Sequence, residues 1–170
     1  KDLLTSLKRQ TIQISSRKDL FNCISHLDSY SAENERMRLQ IGYSEMTLTV
    51  DELRNVLQFL CDGTGTINVN SEVLESMLTA RLLLPVHFSF AFQKANTEKL
   101  RTKVLDYFIK NEQFSISTKM LSSVLDASNK SNLRKELCSE KMVKRYSGTV
   151  YQDFIIQNFR YKKGTLTNVI

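Results

Sequence analysis

Along the first half of the chain the apolar residues change period repeatedly. Thr11-Ile12-Gln13-Ile14 alternates polar and apolar, the mark of a half-buried strand. Ser16 then caps a helix whose apolar face is Leu20, Phe21, Ile24 and Leu27. Met37, Leu39, Ile41 and Tyr43 alternate with polar residues, and so do Met46, Leu48 and Val50 after a break at Ser44-Glu45, which predicts two antiparallel strands. Thr49 or Asp51 caps the next helix, with Leu53, Val56, Leu57 and Leu60 inward, and Asp62-Gly63-Thr64-Gly65 is a turn cluster. Ile67 and Val69 suggest a short strand, and Ser71 caps a helix burying Val73, Leu74, Met77 and Leu78. Beyond Pro85, Val86, Phe88, Phe90 and Phe92 alternate with His87, Ser89 and Ala91 and read as the face of a core strand.

The second half has a helical period. Thr97 caps a helix carrying Leu100, Val104, Leu105 and Phe108; Phe114-Ser115-Ile116 is an extended link; Ser117 caps a short helix with Met120, Leu121, Val124 and Leu125 inward. Residues 126–130 form a small polar turn, and a third helix runs from about Ser131 to Lys141 with Leu133 and Leu137 buried. Met142–Tyr146 reads as a strand, Ser147-Gly148 as a tight turn and Thr149-Val150-Tyr151 as the return strand. The fold class expected is α+β: a mixed helix and strand unit over residues 1–95, a helix-turn-helix unit with an appended hairpin over 96–160, and a basic tail at 161–170.

Residues 97 to about 157 resemble the winged-helix superfamily. The stretch that carries the likeness is Leu133-Arg-Lys-Glu-Leu137-Cys-Ser-Glu-Lys-Met142-Val143-Lys-Arg145, behind Ser117–Leu125: apolar residues four apart on the third helix, then an apolar pair that opens the wing. Lys141 stands where many members carry glycine. The resemblance implies a third helix that enters the DNA major groove with its first residues, here Lys130, Ser131, Asn132, Arg134 and Lys135, of which Ser131 and Lys135 point most directly outward. The wing adds Lys144, Arg145 and Tyr146 for backbone phosphates, and Lys162 and Lys163 extend the positive stripe. Winged-helix domains also serve as rigid protein–protein connectors, so a protein partner in a larger assembly is the alternative.

Charge agrees with this division. Residues 1–95 carry ten Lys and Arg against eleven Asp and Glu, whereas residues 96–170 carry fourteen against seven, so the excess of +7 lies in the second half and points to an anionic partner, double-stranded DNA foremost. Glu136 and Glu140 on the third helix oppose that partner. The near-neutral first half is the candidate for docking or for a homodimer contact.

Chemistry beyond binding finds little support. Three cysteines, Cys23, Cys61 and Cys138, make no disulfide framework and suit an intracellular setting, nuclear or cytoplasmic. Cys23 and His26 alone lie close together, too few ligands for a metal site. The Gly63-Thr-Gly-Thr run lacks the Lys-Ser/Thr of a phosphate-binding loop, and no nucleophile elbow is present. The acidic pairs Glu33/Glu35, Asp51/Glu52 and Glu72/Glu75 sit at loops or helix starts, where capping explains them. The expectation is therefore a non-enzymatic module without cofactor. The longest apolar window, Leu82–Phe92, is interrupted by Pro85, His87 and Ser89 and is too short to span a membrane. Lys1 in place of Met suggests an excised fragment or mature product.

Overall fold

The computed structural model describes residues 11–26, 36–111, 113–122, 135–146 and 150–159. It combines helices with one three-stranded sheet, so the chain is mixed helix and strand, and it divides into two compact units, Lys1–His87 and Phe88–Ile170. The division falls before the Phe88–Lys94 helix rather than at the charge break near residue 95.

In the first unit, β1 (Thr11–Ile14), β2 (Arg36–Ile41) and β3 (Ser44–Thr49) lie in that order across the sheet. β1 runs parallel to β2, with Ile12 opposite Leu39 and Ile14 opposite Ile41. Parallel neighbours need a crossover, and α1 (Arg17–Ser25) lies within it. β2 and β3 form the expected antiparallel hairpin, Ile41 opposite Ser44. Period-two patterning gives the sheet one wet and one dry face: Ile14, Met37, Leu39 and Ile41 are buried, while Gln13, Arg38, Glu45 and Thr47 are exposed. The two-residue turn Gly42-Tyr43 has a positive φ at Gly42 (+58°) alone, as a type II′ turn requires. Ser44 pins the hairpin to α3 (Ser71–Thr79), its hydroxyl 2.8 Å from Ser76 Oγ and donating to the Glu72 carbonyl at 3.1 Å.

α2 (Val50–Asp62) starts with a reciprocal cap: Thr49 Oγ1 accepts from the Glu52 N–H at 3.2 Å, and Glu52 Oε1 accepts from the Thr49 N–H at 3.0 Å. It ends at Gly63, whose left-handed φ of +80° sends its N–H back to the Phe59 carbonyl. A Cβ at Gly63 would come within 2.8 Å of Val86 Cγ2, so both backbone and space require glycine there. α3 is capped by Asn70, one residue before the Ser71 expected, and terminates through Arg81 in the left-handed region (φ 56°), with the Leu82 N–H reaching the Met77 carbonyl.

The carbonyls at the end of α2 are met by two side chains from elsewhere in this unit. The Arg17 guanidinium donates to the carbonyls of Leu60 at 2.9 Å and Cys61 at 3.2 Å, and also to that of Leu82. His87, fully buried, accepts the Leu84 N–H on Nδ1 at 2.9 Å, so the ring is neutral and its protonated Nε2 donates to the Phe59 carbonyl at 2.6 Å.

Two expected strands are absent. Ile67 and Val69 join no ladder. Val86–Phe92 is a 3-10 turn (Pro85–His87) followed by α4 (Phe88–Lys94). Phe88, Ala91, Phe92 and Ala95 are buried at the spacing of one helical face, and Ala91, expected opposite the phenylalanines, lies on that face with them.

Among the described residues of the second unit the regular elements are all helices. α5 (Glu98–Ile109) is capped by Thr97 and buries Leu100, Val104, Leu105 and Phe108, all four as expected. Helical turns at residues 118–122 and 135–137 follow, then α6 (Glu140–Arg145) and α7 (Val150–Phe159). Tyr151 and Phe154 join Phe88, Phe92, Leu105, Leu121 and Leu137 around a small apolar cavity. The hairpin expected over 142–151 is a correction: Met142–Arg145 lies in α6, and Val150 and Tyr151 open α7. The third helix does not run to Lys141 either. It ends at Leu137, and Ser139 caps a new helix by accepting the Met142 N–H at 3.3 Å. No glycine is needed at Lys141 because no helix stops there. Met142, Val143 and Tyr146 are all buried, a spacing of three and four that fits a helix.

Burial holds the His87 imidazole below its ordinary pKa, and the Arg17 charge acts in the same direction against the Phe59 bond and Asp62. An unfolded histidine takes up its proton near pH 6.5. The stability that depends on a neutral His87 is therefore complete above about that pH and is lost as pH falls through the lower folded value. Thermal melts from pH 7.5 to 5 are expected to show a falling Tm that flattens in His87→Gln; an equal slope in the variant would assign the effect to other groups.

Candidate interaction surface of the basic unit

Ten residues make up the expected nucleic-acid surface. Lys130, Ser131, Asn132, Arg134, Lys162 and Lys163 lie outside the described residues. Of the other four, Lys135 is exposed on the helical turn 135–137, and Lys144 is exposed on α6 with its ammonium 2.8 Å from Glu140 one turn earlier. Arg145 closes α6, exposed but paired, and Tyr146 caps that helix with its ring buried, which corrects their assignment to a wing strand.

The group that pairs with them is Asp106, on the polar side of α5. The Arg145 guanidinium binds its carboxylate with two hydrogen bonds, Nε donating to Oδ1 at 3.0 Å and Nη2 to Oδ2. The Tyr146 hydroxyl is buried and shared between Asp106 Oδ1 at 2.9 Å and the Thr102 carbonyl at 3.2 Å. Lys110 completes the group, its ammonium 3.8 Å from Asp106 and 5.5 Å from the centre of the Tyr146 ring. Burial alone would raise the Asp106 pKa, but the hydrogen bonds from Arg145 and Tyr146 outweigh it and hold the carboxyl below the usual range. The same bond pushes the Arg145 pKa up, and burial with the Asp106 charge pushes the Tyr146 phenol up. At neutral pH the pair is fully ionised, and the phenol keeps its proton.

A second pair ties α5 to the turn at 135–137. Arg101 binds Glu136 in the same two-pronged way, at 19% and 14% side-chain exposure, and donates to the Ala95 carbonyl at 3.2 Å. Neither Arg101 nor Asp106 was singled out by sequence, because their partners stand 35 and 39 residues away. Tyr146 did carry a signal, since it falls three and four residues beyond the apolar pair Met142-Val143.

Other candidates resolve locally. Glu52 belongs to the cap of α2, and Asp51 and Glu72 to first turns of helices. His26 Nδ1 faces the Asn22 carbonyl at 2.7 Å and Ser25 Oγ at 3.1 Å, while burial pushes the Cys23 thiol up to about 11. Among the described residues no three His, Cys, Asp or Glu side chains are grouped to hold a metal, and no helix is long and apolar enough to cross a membrane. Phe88 and Phe92 are buried, so these rings belong to the core of the second unit. No family model, no curated protein and no solved structure matches the chain.

Asp106→Asn keeps the shape of the group and removes its charge. It is expected to cost about 2 kcal/mol, the range for hydrogen bonds to charged partners, read as a lower denaturation midpoint at unchanged m. A variant within a few tenths of a kcal/mol of wild type, the level of an exposed surface pair, would mean that the network contributes little.

Proposed function

We propose that the chain is a non-enzymatic protein-interaction module, a structural piece of a larger assembly, in preference to a DNA-binding domain. The observation that carries this is the use of Arg145 and Arg101. Both guanidiniums are engaged two-pronged by carboxylates of the same unit. Moving Arg145 onto a phosphate would strip Asp106 of its two-pronged partner, leave it only Tyr146 and Lys110, and set a carboxylate against a polyanion. Lys144 likewise shares its charge with Glu140, one turn earlier on the same helix. The winged-helix likeness is then best taken in its connector sense, with helix rather than hairpin over the described Glu140–Arg145 and Val150–Phe159.

The first unit supports the same reading. Tyr43 is 98% exposed at the tip of a hairpin that Ser44 and Ser76 hold to α3. A large aromatic on a pre-set turn suits a protein contact, in which Tyr and Arg are enriched.

Two measurements test the proposal. Titration of a labelled duplex from about 50 to about 200 mM salt is expected to give no saturable binding. Steep salt dependence abolished by Lys135→Glu would restore the nucleic-acid reading. A photo-crosslinking residue in place of Tyr43 is expected to yield discrete protein adducts in cells that survive nuclease treatment; nuclease-sensitive adducts would count against it.

A further inference from the structure

We infer that the surface over the C-terminal end of α2 docks an acidic, amphipathic segment of a partner protein, with Phe21 and Val86 as apolar contacts and Arg81 as the cation. The inference rests on the protein-interaction reading and names the partner's chemistry.

Phe21 and Val86 are large apolar side chains left 53% and 58% exposed. Both are held in place. The Phe21 ring lies 5.4 Å from the Arg17 guanidinium, which is itself fixed by the Leu60, Cys61 and Leu82 carbonyls. Val86 packs against Gly63 so closely that a Cβ there would overlap it. Through Arg17 at residues 60 and 61 and through Gly63, both side chains attach within about one turn of the same helix end. A contact pair held this way loses little freedom on binding.

Arg81 supplies the charge. It occupies a left-handed conformation (φ 56°) at the end of α3, where glycine would be the more stable residue. Its side chain is exposed and makes no hydrogen bond or ion pair among the described residues. A side chain kept at a backbone cost with no partner among the described residues is a candidate for an external one. Arg81 is the chain neighbour of Leu82, whose carbonyl receives the same Arg17 guanidinium that lies over Phe21, so its backbone leaves the fold at this helix end. The Asp62 carboxylate at the same helix end is occupied by the Thr64 N–H at 2.8 Å and the Gln58 amide at 2.6 Å. An arginine without a side-chain partner among the described residues, at the same helix end as two exposed apolar groups, is complemented by a carboxylate beside apolar side chains. A phosphate backbone would satisfy the arginine and leave Phe21 and Val86 wet.

The test is selection of random displayed peptides on the intact chain. Enriched peptides are expected to interleave Asp or Glu with Leu, Ile or Phe. Synthetic copies should bind wild type and lose about tenfold in affinity, the scale of one hot-spot contact, on Arg81→Gly and on Val86→Asp. Arg81→Gly is the decisive variant, because relief of the left-handed strain should raise its Tm while its affinity falls, which separates a contact from a fold defect. Equal affinity in Arg81→Gly, enrichment of basic or purely polar peptides, or no enrichment would each overturn the inference. Acidic peptides that bind regardless of Arg81, Val86 and Phe21 would overturn it too, yet leave the module reading standing; duplex binding with a steep salt slope would remove both.

Discussion

A helix that ends inside a fold leaves carbonyl oxygens that must find donors, and the first unit is organised around that requirement at the end of α2. Gly63 and His87 meet the Phe59 carbonyl, and Arg17 meets those of Leu60 and Cys61. These donors come from the turn after α2, from the strap that follows α3 and from the first turn of α1. The same contacts that satisfy the helix therefore fasten three separated parts of the chain together. A positive guanidinium at this end also matches the negative pole of the helix, and the apolar sheet face needs α2 in this position to be covered. The polar closure and the hydrophobic layer thus specify one arrangement.

The second unit solves a similar problem with charge pairs. Its net positive composition suggests an open cationic face, but composition counts charges without asking where their partners are. Asp106 and Glu136 are few among many lysines and arginines, and each claims an arginine, Glu136 in a half-buried setting and Asp106 nearer the surface. Pairs of this kind are costly to break from one side, because the partner left behind stays partly desolvated. They are better regarded as fasteners between α5 and the segments after it than as a reserve of charge for a ligand.

What could be read from sequence follows from the range of the interactions involved. Thr49 with Glu52, Thr97 with Leu100, the Leu53/Val56/Leu57/Leu60 stripe and the β2–β3 hairpin all depend on neighbours within a few residues, and all appear where the pattern puts them. Val86–Phe92 and Met142–Tyr146 failed for a shared reason. Short apolar runs satisfy two periods at once, and only the depth of Ala91, Ala95 and Tyr146 in the fold separates them. The candidate surface was the least legible part. Whether the Arg145 guanidinium is already paired is decided by a carboxylate 39 residues earlier, and no local pattern reports that.

Gly63 has a genetic corollary. Its backbone angle and the proximity of Val86 each exclude a side chain, so an inherited change at this codon would meet two penalties at once. It would displace Val86 outward and loosen the strap that carries His87. A lesion at a position without any functional group of its own would then alter the outer surface of the unit, and would mimic damage to an interface residue it never replaces.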